Sequence, residues 1–280
     1  MQETHRVKPW MVAGFSLSSI AFPRDSYRFN IRRGRHATVV SFPLFVRASV
    51  AMCAWFCSGR SNTELVHRLR ASNVITSERV KEVMLRVDRG NYAPNFAYDD
   101  SPQYLGYEQT ISAPHMHAHA LELLKERLVP GATVLDVGCG SGYLTAAMAR
   151  MVEPKGRVVG IDIVKPLVSL AKNNIEKADD DLLTKGVVTL ECKTGWEGDK
   201  EKGPYDAIHV GAAASSVPRS LVEQLKVGGI MIIPVGPEGG NQVLCRVQKI
   251  KDQGPIEETF VAQELLGVRY VPLVRQSPHG

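Results

Sequence analysis

The sequence contains no Cys-x-x-Cys pair, and its five cysteines, Cys53, Cys57, Cys139, Cys192 and Cys245, are scattered and odd in number. That argues against a disulfide framework and for a reducing compartment. Long uninterrupted hydrophobic runs are missing as well. A mostly apolar stretch from Ala37 to Cys57 is broken by Pro43 and Arg47, whereas a membrane span needs about 20 apolar residues with few charges. No stable membrane association is expected. Acids are scarce at the start: residues 1–51 hold eight Lys or Arg against two acids, a net of +6 that accounts for the whole chain's formal net charge of +5. The remainder, with 26 basic and 27 acidic residues, is close to neutral. A near-neutral body gives no sign of a broad nucleic-acid surface. Internal repeats and low-complexity segments are also absent.

What is present is a chain of 280 residues, enough for one large α/β domain with a tail or for two small domains. Residues 1–51 read as an N-terminal extension, disordered or targeting. Disorder is the leading expectation, with a cytoplasmic protein. The acid-poor, Arg-rich composition keeps a mitochondrial transit peptide as the alternative. Residues 52–131 read as a helical, substrate-side region, residues 132–275 as a cofactor-binding core and residues 276–280 as a tail. Helices are predicted from Asn62 through Leu69, over 77–87 and from Pro114 to Leu128. The stretch 88–110, with Gly90, Pro94, Pro102 and Gly106, reads as an irregular ordered loop.

From residue 132 strands and helices alternate. Strands are predicted at 133–137, 157–161, 187–192, 205–210, 230–235, 242–249 and 268–273, and helices at 143–152, 166–177 and 218–226. Alternating apolar strands and helices specify a parallel sheet covered on both faces. The fold class is therefore α/β: a doubly wound, mostly parallel seven-stranded Rossmann-like sheet with an antiparallel edge and N-terminal helices.

Between the first of these strands and its helix stands Asp136-Val137-Gly138-Cys139-Gly140-Ser141-Gly142. Strand, glycine turn and helix make a nucleotide-binding turn, because the backbone comes close to a ligand where no Cβ stands in the way. The other strand ends supply Asp162, Thr194-Gly195 and Gly211-Ala212-Ala213. Asp162, twenty residues past Gly142, is placed to accept hydrogen bonds from ribose hydroxyls. Two cofactors compete. A dinucleotide site asks for G-x-G-x-x-G, and this turn is G-x-G-x-G. Asp136 repels a pyrophosphate but suits an ammonium-bearing ligand. The motif thus resembles the first motif of class I S-adenosylmethionine-dependent methyltransferases, with a nicotinamide dehydrogenase as the alternative.

The segment Gln109-Thr110-Ile111-Ser112-Ala113-Pro114-His115-Met116 resembles the hallmark of protein-L-isoaspartate O-methyltransferases. The likeness continues in Leu121-Glu122-Leu123-Leu124, in Tyr205 through Ala214, in Pro234-Val235-Gly236-Pro237 and in Gly267-Val268-Arg269-Tyr270-Val271-Pro272-Leu273. It covers about residues 53–275 and is nearest to the eukaryotic branch. The resemblance implies methyl transfer from S-adenosylmethionine to the α-carboxyl of L-isoaspartyl, and D-aspartyl, residues in damaged proteins and peptides, by a monomer. S-adenosylhomocysteine is the implied product. It assigns Ser112 the catalytic position; the other reading of Ser112 is a cap for the helix at Pro114. Cofactor contacts are implied for Gln109, Thr110, Ile111, Ser112, His117, Asp136, Gly138, Ser141, Gly142, Asp162, Ile163, Thr194 and Gly195. Val268, Arg269 and Tyr270, with the loop from Asp99 to Gln109, are expected around the peptide; the other reading is an edge strand and a packing loop. No metal site is expected from His115, His117 and His119, since methyl transfer to a carboxylate needs no Lewis acid. His209 reads as a hydrogen-bonded core residue. One departure from the family stands out: Lys193-Thr194-Gly195 replaces Gly-Asp-Gly, leaving Thr194 to accept from the adenine without a charge. This makes an inactive cofactor-binding scaffold a further alternative.

Overall fold

The computed structural model describes residues 57–276, so the expectations for residues 1–51 lie outside the described residues. The chain opens with two helices, α1 (Asn62–Ala71) and α2 (Glu78–Arg86), each begun by a serine. The Ser61 hydroxyl accepts from Glu64 N and the Ser77 hydroxyl from Val80 N, the capping that a polar residue before an apolar helical stripe supplies. A 3₁₀ turn at Arg89–Asn91 follows. Next comes a small antiparallel hairpin of β1 (Gln103–Gly106) and β2 (Gln109–Ile111), and then α3 (Pro114–Leu124).

The core alternates β3 (Thr133–Val137), α4 (Tyr143–Val152), β4 (Arg157–Asp162), α5 (Lys165–Asp179), the short α6 (Asp181–Thr184) and β5 (Val188–Cys192). It continues with β6 (Tyr205–Val210), α7 (Arg219–Glu223), β7 (Leu225–Val235), β8 (Gln242–Lys249) and β9 (Phe260–Val268). The sheet has seven strands in the order β5-β4-β3-β6-β7-β8-β9. Neighbours from β5 to β7 run parallel, while β7–β8 and β8–β9 are antiparallel. The expected doubly wound sheet with an antiparallel edge is the observed one.

The central strand shows how the sequence builds two cores at once. All five residues of β3 are buried. Because side chains alternate across a strand, Val134 joins the cluster formed with α1 to α4, and Leu135 and Val137 join the cluster against α7 on the other face. The chain leaves β3 toward β4 on one side and reaches β6 on the other. That reversal puts the switch point, and so the ligand crevice, at the carboxyl ends of β3, β4 and β6.

Three expectations need correction. Residues 268–273 do not form the last strand; β9 spans Phe260–Val268, pairing Phe260 with Lys249 and Val268 with Gln242. The edge strand is largely exposed, so it lacks an apolar alternation. The more apolar stretch after it owes its pattern to a cavity wall. Pro272, with no N–H, also suits a segment whose backbone meets the rest of the fold at an isolated bridge to Ala213 rather than in a continuous ladder. Second, the stretch 88–110 is more regular than expected, since it holds β1 and begins β2. Third, α7 ends at Glu223 and β7 begins at Leu225, five residues before the expected strand. Gly228 and Gly229 sit inside the strand, at a register shift against β6, with Gly228 at φ +83.

Candidate active site

Two adjoining cavities, of about 250 Å³ and about 40 Å³, open at the carboxyl ends of β3, β4 and β6. Thr110, Ser112, Gly138, Gly140 and Gly211 line both, so they are two lobes of one site. The larger lobe gathers Gln109, Thr110, Ser112, Gly138, Asp162, Ile163, Gly195, Arg269 and Tyr270. The smaller takes Ile111, His117, Asp136 and Ser141. Of the residues singled out in the sequence, Gly142, Thr194 and Val268 line neither lobe. Gly142 stands before α4 at φ +85, and a Cβ on it would sit 3.1 Å from Ala171 Cβ in α5, so it serves a tight helix-to-helix approach. Thr194 precedes Gly195 in a turn, its carbonyl accepting from Glu197 N and Gly198 N. Val268 ends β9.

The glycine turn is shaped by its acids. Asp162 Oδ2 accepts from Gly140 N at 3.1 Å and Oδ1 from Val164 N at 3.0 Å, tying the end of β4 to the turn. Burial, with the nearby Asp136 charge, raises the Asp162 carboxyl above its ordinary value despite those bonds. Asp136 is almost wholly buried. Its two oxygens accept from Thr145 Oγ1 at 2.5 Å and bond to His209 Nδ1 at 2.8 Å. His209 is thus hydrogen-bonded, as the sequence suggested, and it also walls the smaller lobe.

Ser112 is not the cap of α3. Ala113 occupies the cap position without a side-chain bond, and Asp100 Oδ1 takes the exposed His115 N–H at 2.9 Å from a distant loop. The Ser112 hydroxyl instead stands beside the Tyr270 phenol on the wall of the larger lobe. Burial pushes that phenol up to about 12, which keeps it protonated at neutral pH. The Ser112 carbonyl accepts from Arg89 Nη2 at 2.8 Å.

Several wall residues are given no role in the site by the sequence. Leu105 hangs from the hairpin over the glycine turn, 3.6 Å from where a Cβ on Gly140 would stand. Pro102 and Met116 close the larger lobe on that side, and Val271 to Val274 close it on the other. That last segment is held by Ala213, whose N–H donates to Val271 O and whose carbonyl accepts from Leu273 N, each at 2.8 Å. Arg89 lies behind the wall, fully buried. Asp88-Arg89-Gly90 reads as a polar loop, and only the fold reveals what the arginine reaches.

A seven-stranded sheet in this order, with a glycine turn and an acid at the ends of neighbouring strands, defines a Rossmann-like methyltransferase. Residues 60–278 match the family model described as protein-L-isoaspartate(D-aspartate) O-methyltransferase (PCMT). The chain belongs to that family. It is 49% identical to a protein-L-isoaspartate O-methyltransferase of Caenorhabditis elegans, over 79% of this chain and 95% of the relative. To the enzyme of that name from Triticum aestivum it is 47% identical, over 77% and 92% respectively. Among solved structures it resembles a Plasmodium falciparum PCMT in complex with S-adenosyl-L-homocysteine, with TM-score 0.71 and 35% identity, over 78% of this chain and 100% of that one. The dehydrogenase alternative finds no support in these likenesses.

Proposed function

We propose that this chain methylates the α-carboxyl of L-isoaspartyl, and D-aspartyl, residues in damaged proteins and peptides, with S-adenosylmethionine as donor. The observation that carries the reading is the meeting, in one cavity, of the glycine turn after β3 with the Ser112–Tyr270 pair, two features more than 120 residues apart at their extremes. Family membership supports the same chemistry.

The cavity fits the donor. Its floor is backbone that cannot carry side chains: a Cβ on Gly195 would lie 2.5 Å from Val137 Cγ1, and one on Gly211 would lie 3.1 Å from Gly138 O. Asp162 stands beside the turn for the ribose, and the smaller lobe, with His117, Asp136 and Ser141, would hold the amino-acid end. Bound there, S-adenosylmethionine supplies a methyl group on a cationic sulfur. The acceptor needs no general base, because an α-carboxyl is ionised far below neutral pH, at about 3.5. What the protein contributes is alignment and dryness. Ser112 and Tyr270 each present a hydroxyl to a carboxylate at the junction of the lobes. Leu105, Met116 and Leu273 exclude water around it. Arg269, exposed at the mouth, faces the peptide.

The test is transfer of tritiated methyl groups to an isoaspartyl peptide beside its aspartyl twin. Label in the isoaspartyl peptide alone is expected. Equal label in both, or none at saturating donor, would overturn the assignment, and the second outcome would favour the inactive scaffold.

A further inference from the structure

Arg89 is a charge buried with no carboxylate of the described residues bonded to it. Its side chain is fully buried, and burial lowers its pKa only to about 10, so it is cationic at neutral pH. Nη2 donates to the Ser112 carbonyl, Nη1 lies 3.0 Å from His117 Nδ1, and Nε has no partner among the described residues. The guanidinium also sits 5.5 Å from the centre of the Tyr143 ring, which in turn flanks the His117 ring at 5.0 Å. An isolated buried charge is unfavourable for folding, and hydrophobic residues could fill the same volume. What the charge does for its neighbours is therefore the useful question.

A guanidinium can only donate. His117 Nδ1 must accept from it, so the proton of the neutral ring is on Nε2. Burial, then the Arg89 charge, holds the His117 pKa well below its ordinary value, and the ring is neutral. The opposite case stands across the smaller lobe. His209 Nδ1 lies 2.8 Å from the Asp136 carboxylate, which accepts, so Nδ1 carries the proton, and the tautomer this selects is the one whose Nε2 offers a lone pair. Both rings wall the same small lobe.

We infer that Arg89 and Asp136 set His117 and His209 in opposite tautomers, giving the small lobe one donor and one acceptor that together read the carboxylate and ammonium of the donor's amino-acid end. This rests on the cofactor reading given above. Arg89 touches neither lobe; it is a positioning residue that acts through His117 and through the backbone of Ser112.

The assignment is read first in the free protein, by two-bond nitrogen–proton correlation NMR of the histidine rings at neutral pH. The expected spectrum has His117 protonated at Nε2 and His209 at Nδ1. His117 protonated at Nδ1, or both rings in one tautomer, would overturn the inference whatever the protein binds. The second readout is calorimetric affinity of wild type and Arg89→Lys for two probes: S-adenosylhomocysteine, which carries the amino-acid end, and methylthioadenosine, which lacks it. Lysine keeps the charge but cannot hold Ser112 and His117 together. The variant is expected to lose at least tenfold in affinity for S-adenosylhomocysteine and less than twofold for methylthioadenosine. Equal losses for both probes would make Arg89 a mere prop and sink the proposal. A wild type that binds methylthioadenosine but not S-adenosylhomocysteine would sink it too. A wild type that binds neither would refute the cofactor reading, while the NMR result would still decide the tautomers.

Discussion

Ser112 is where reading the residues and seeing them part company most usefully. As a sequence feature it serves two roles equally well, helix cap or active-site hydroxyl. The structure removes the first by giving the helix start to Asp100, and leaves the hydroxyl beside Tyr270 at the cavity wall. Removing a hydrogen bond to a charged group costs about 1.5–3 kcal/mol, or roughly 10- to 100-fold in rate. Ser112→Ala is therefore expected to lower kcat by that factor while changing the Kd for S-adenosylhomocysteine less than threefold. Unchanged turnover would return Ser112 to the role of a linker residue. Thr194 carries a second expectation. Its hydroxyl lies 3.4 Å from Trp196 N, within the turn that presents Gly195 to the cavity. The family pattern places an acceptor for the adenine at this position, and a carboxylate would bring a charge that the threonine hydroxyl lacks; charge-assisted bonds are roughly twice as strong. Thr194→Asp should bind S-adenosylhomocysteine several-fold tighter by calorimetry, and equal or weaker binding would contradict the role given to this position. Arg89 marks the limit of residue-level reading. Its function depends on Asn62, Ser112, His117 and Tyr143 coming together, and no spacing in the chain announces that.

At the scale of elements, the central strands β3 and β4 were legible because near-complete burial leaves a mostly apolar run that ends at a glycine or an acid. The antiparallel edge was not. β9 is largely exposed and its apolar residues do not alternate with polar ones, while the segment beyond it reads as a strand because it lines a cavity. The β1–β2 hairpin was hidden for a different reason. Its turn places Tyr107 and Glu108 at positive φ, residues that a hairpin search built on Asn or Gly does not flag. The seam between α2 and α3 was equally silent, and it yields a prediction. Glu122 of α3 accepts from the backbone N–H groups of Thr76 and Ser77, both at 2.8 Å, and from their hydroxyls. It pairs with Lys125 as well. One carboxylate thus supplies the start of a helix that is not its own. Burial pushes its pKa up, but the bonds from Ser77, Thr76 and Lys125 outweigh burial and bring it to about 2, from an ordinary 4.5. The folded-state pKa is depressed, so the stabilisation is complete above pH 4.5 and is lost as pH falls toward 2. Glu122→Gln should unfold in urea with about 1–3 kcal/mol less stability at neutral pH. The difference from wild type should shrink at pH 3. A gap that stays constant with pH would mean the carboxylate charge contributes nothing to that seam.

For the whole molecule, the informative fact is how many distant parts of the chain wall one cavity. The hairpin, the start of α3, the ends of β3, β4 and β6, and the segment after β9 all contribute to the larger lobe. That last segment is bonded back to Ala213, so the final stretch of the described fold is tied to the residues that follow β6. Both hydrophobic clusters reach the central strands as well. A ligand in this cavity holds the helical region and the sheet together as one cooperative unit, and the stabilisation it gives must appear in the melting of the entire described fold. Saturation at one hundred times Kd adds about 2.7 kcal/mol to a protein that binds only when folded. At this size each kcal/mol moves the melting temperature by roughly 2–4 °C. S-adenosylhomocysteine at that excess should thus raise the Tm by about 5–11 °C in a single calorimetric transition, with the shift growing logarithmically with concentration. Methylthioadenosine, filling only part of the site, should do the same at its own higher concentrations. Two separate transitions, only one of which moves with ligand, would show that residues 57–131 and the sheet fold independently, and that the cavity belongs to the sheet alone.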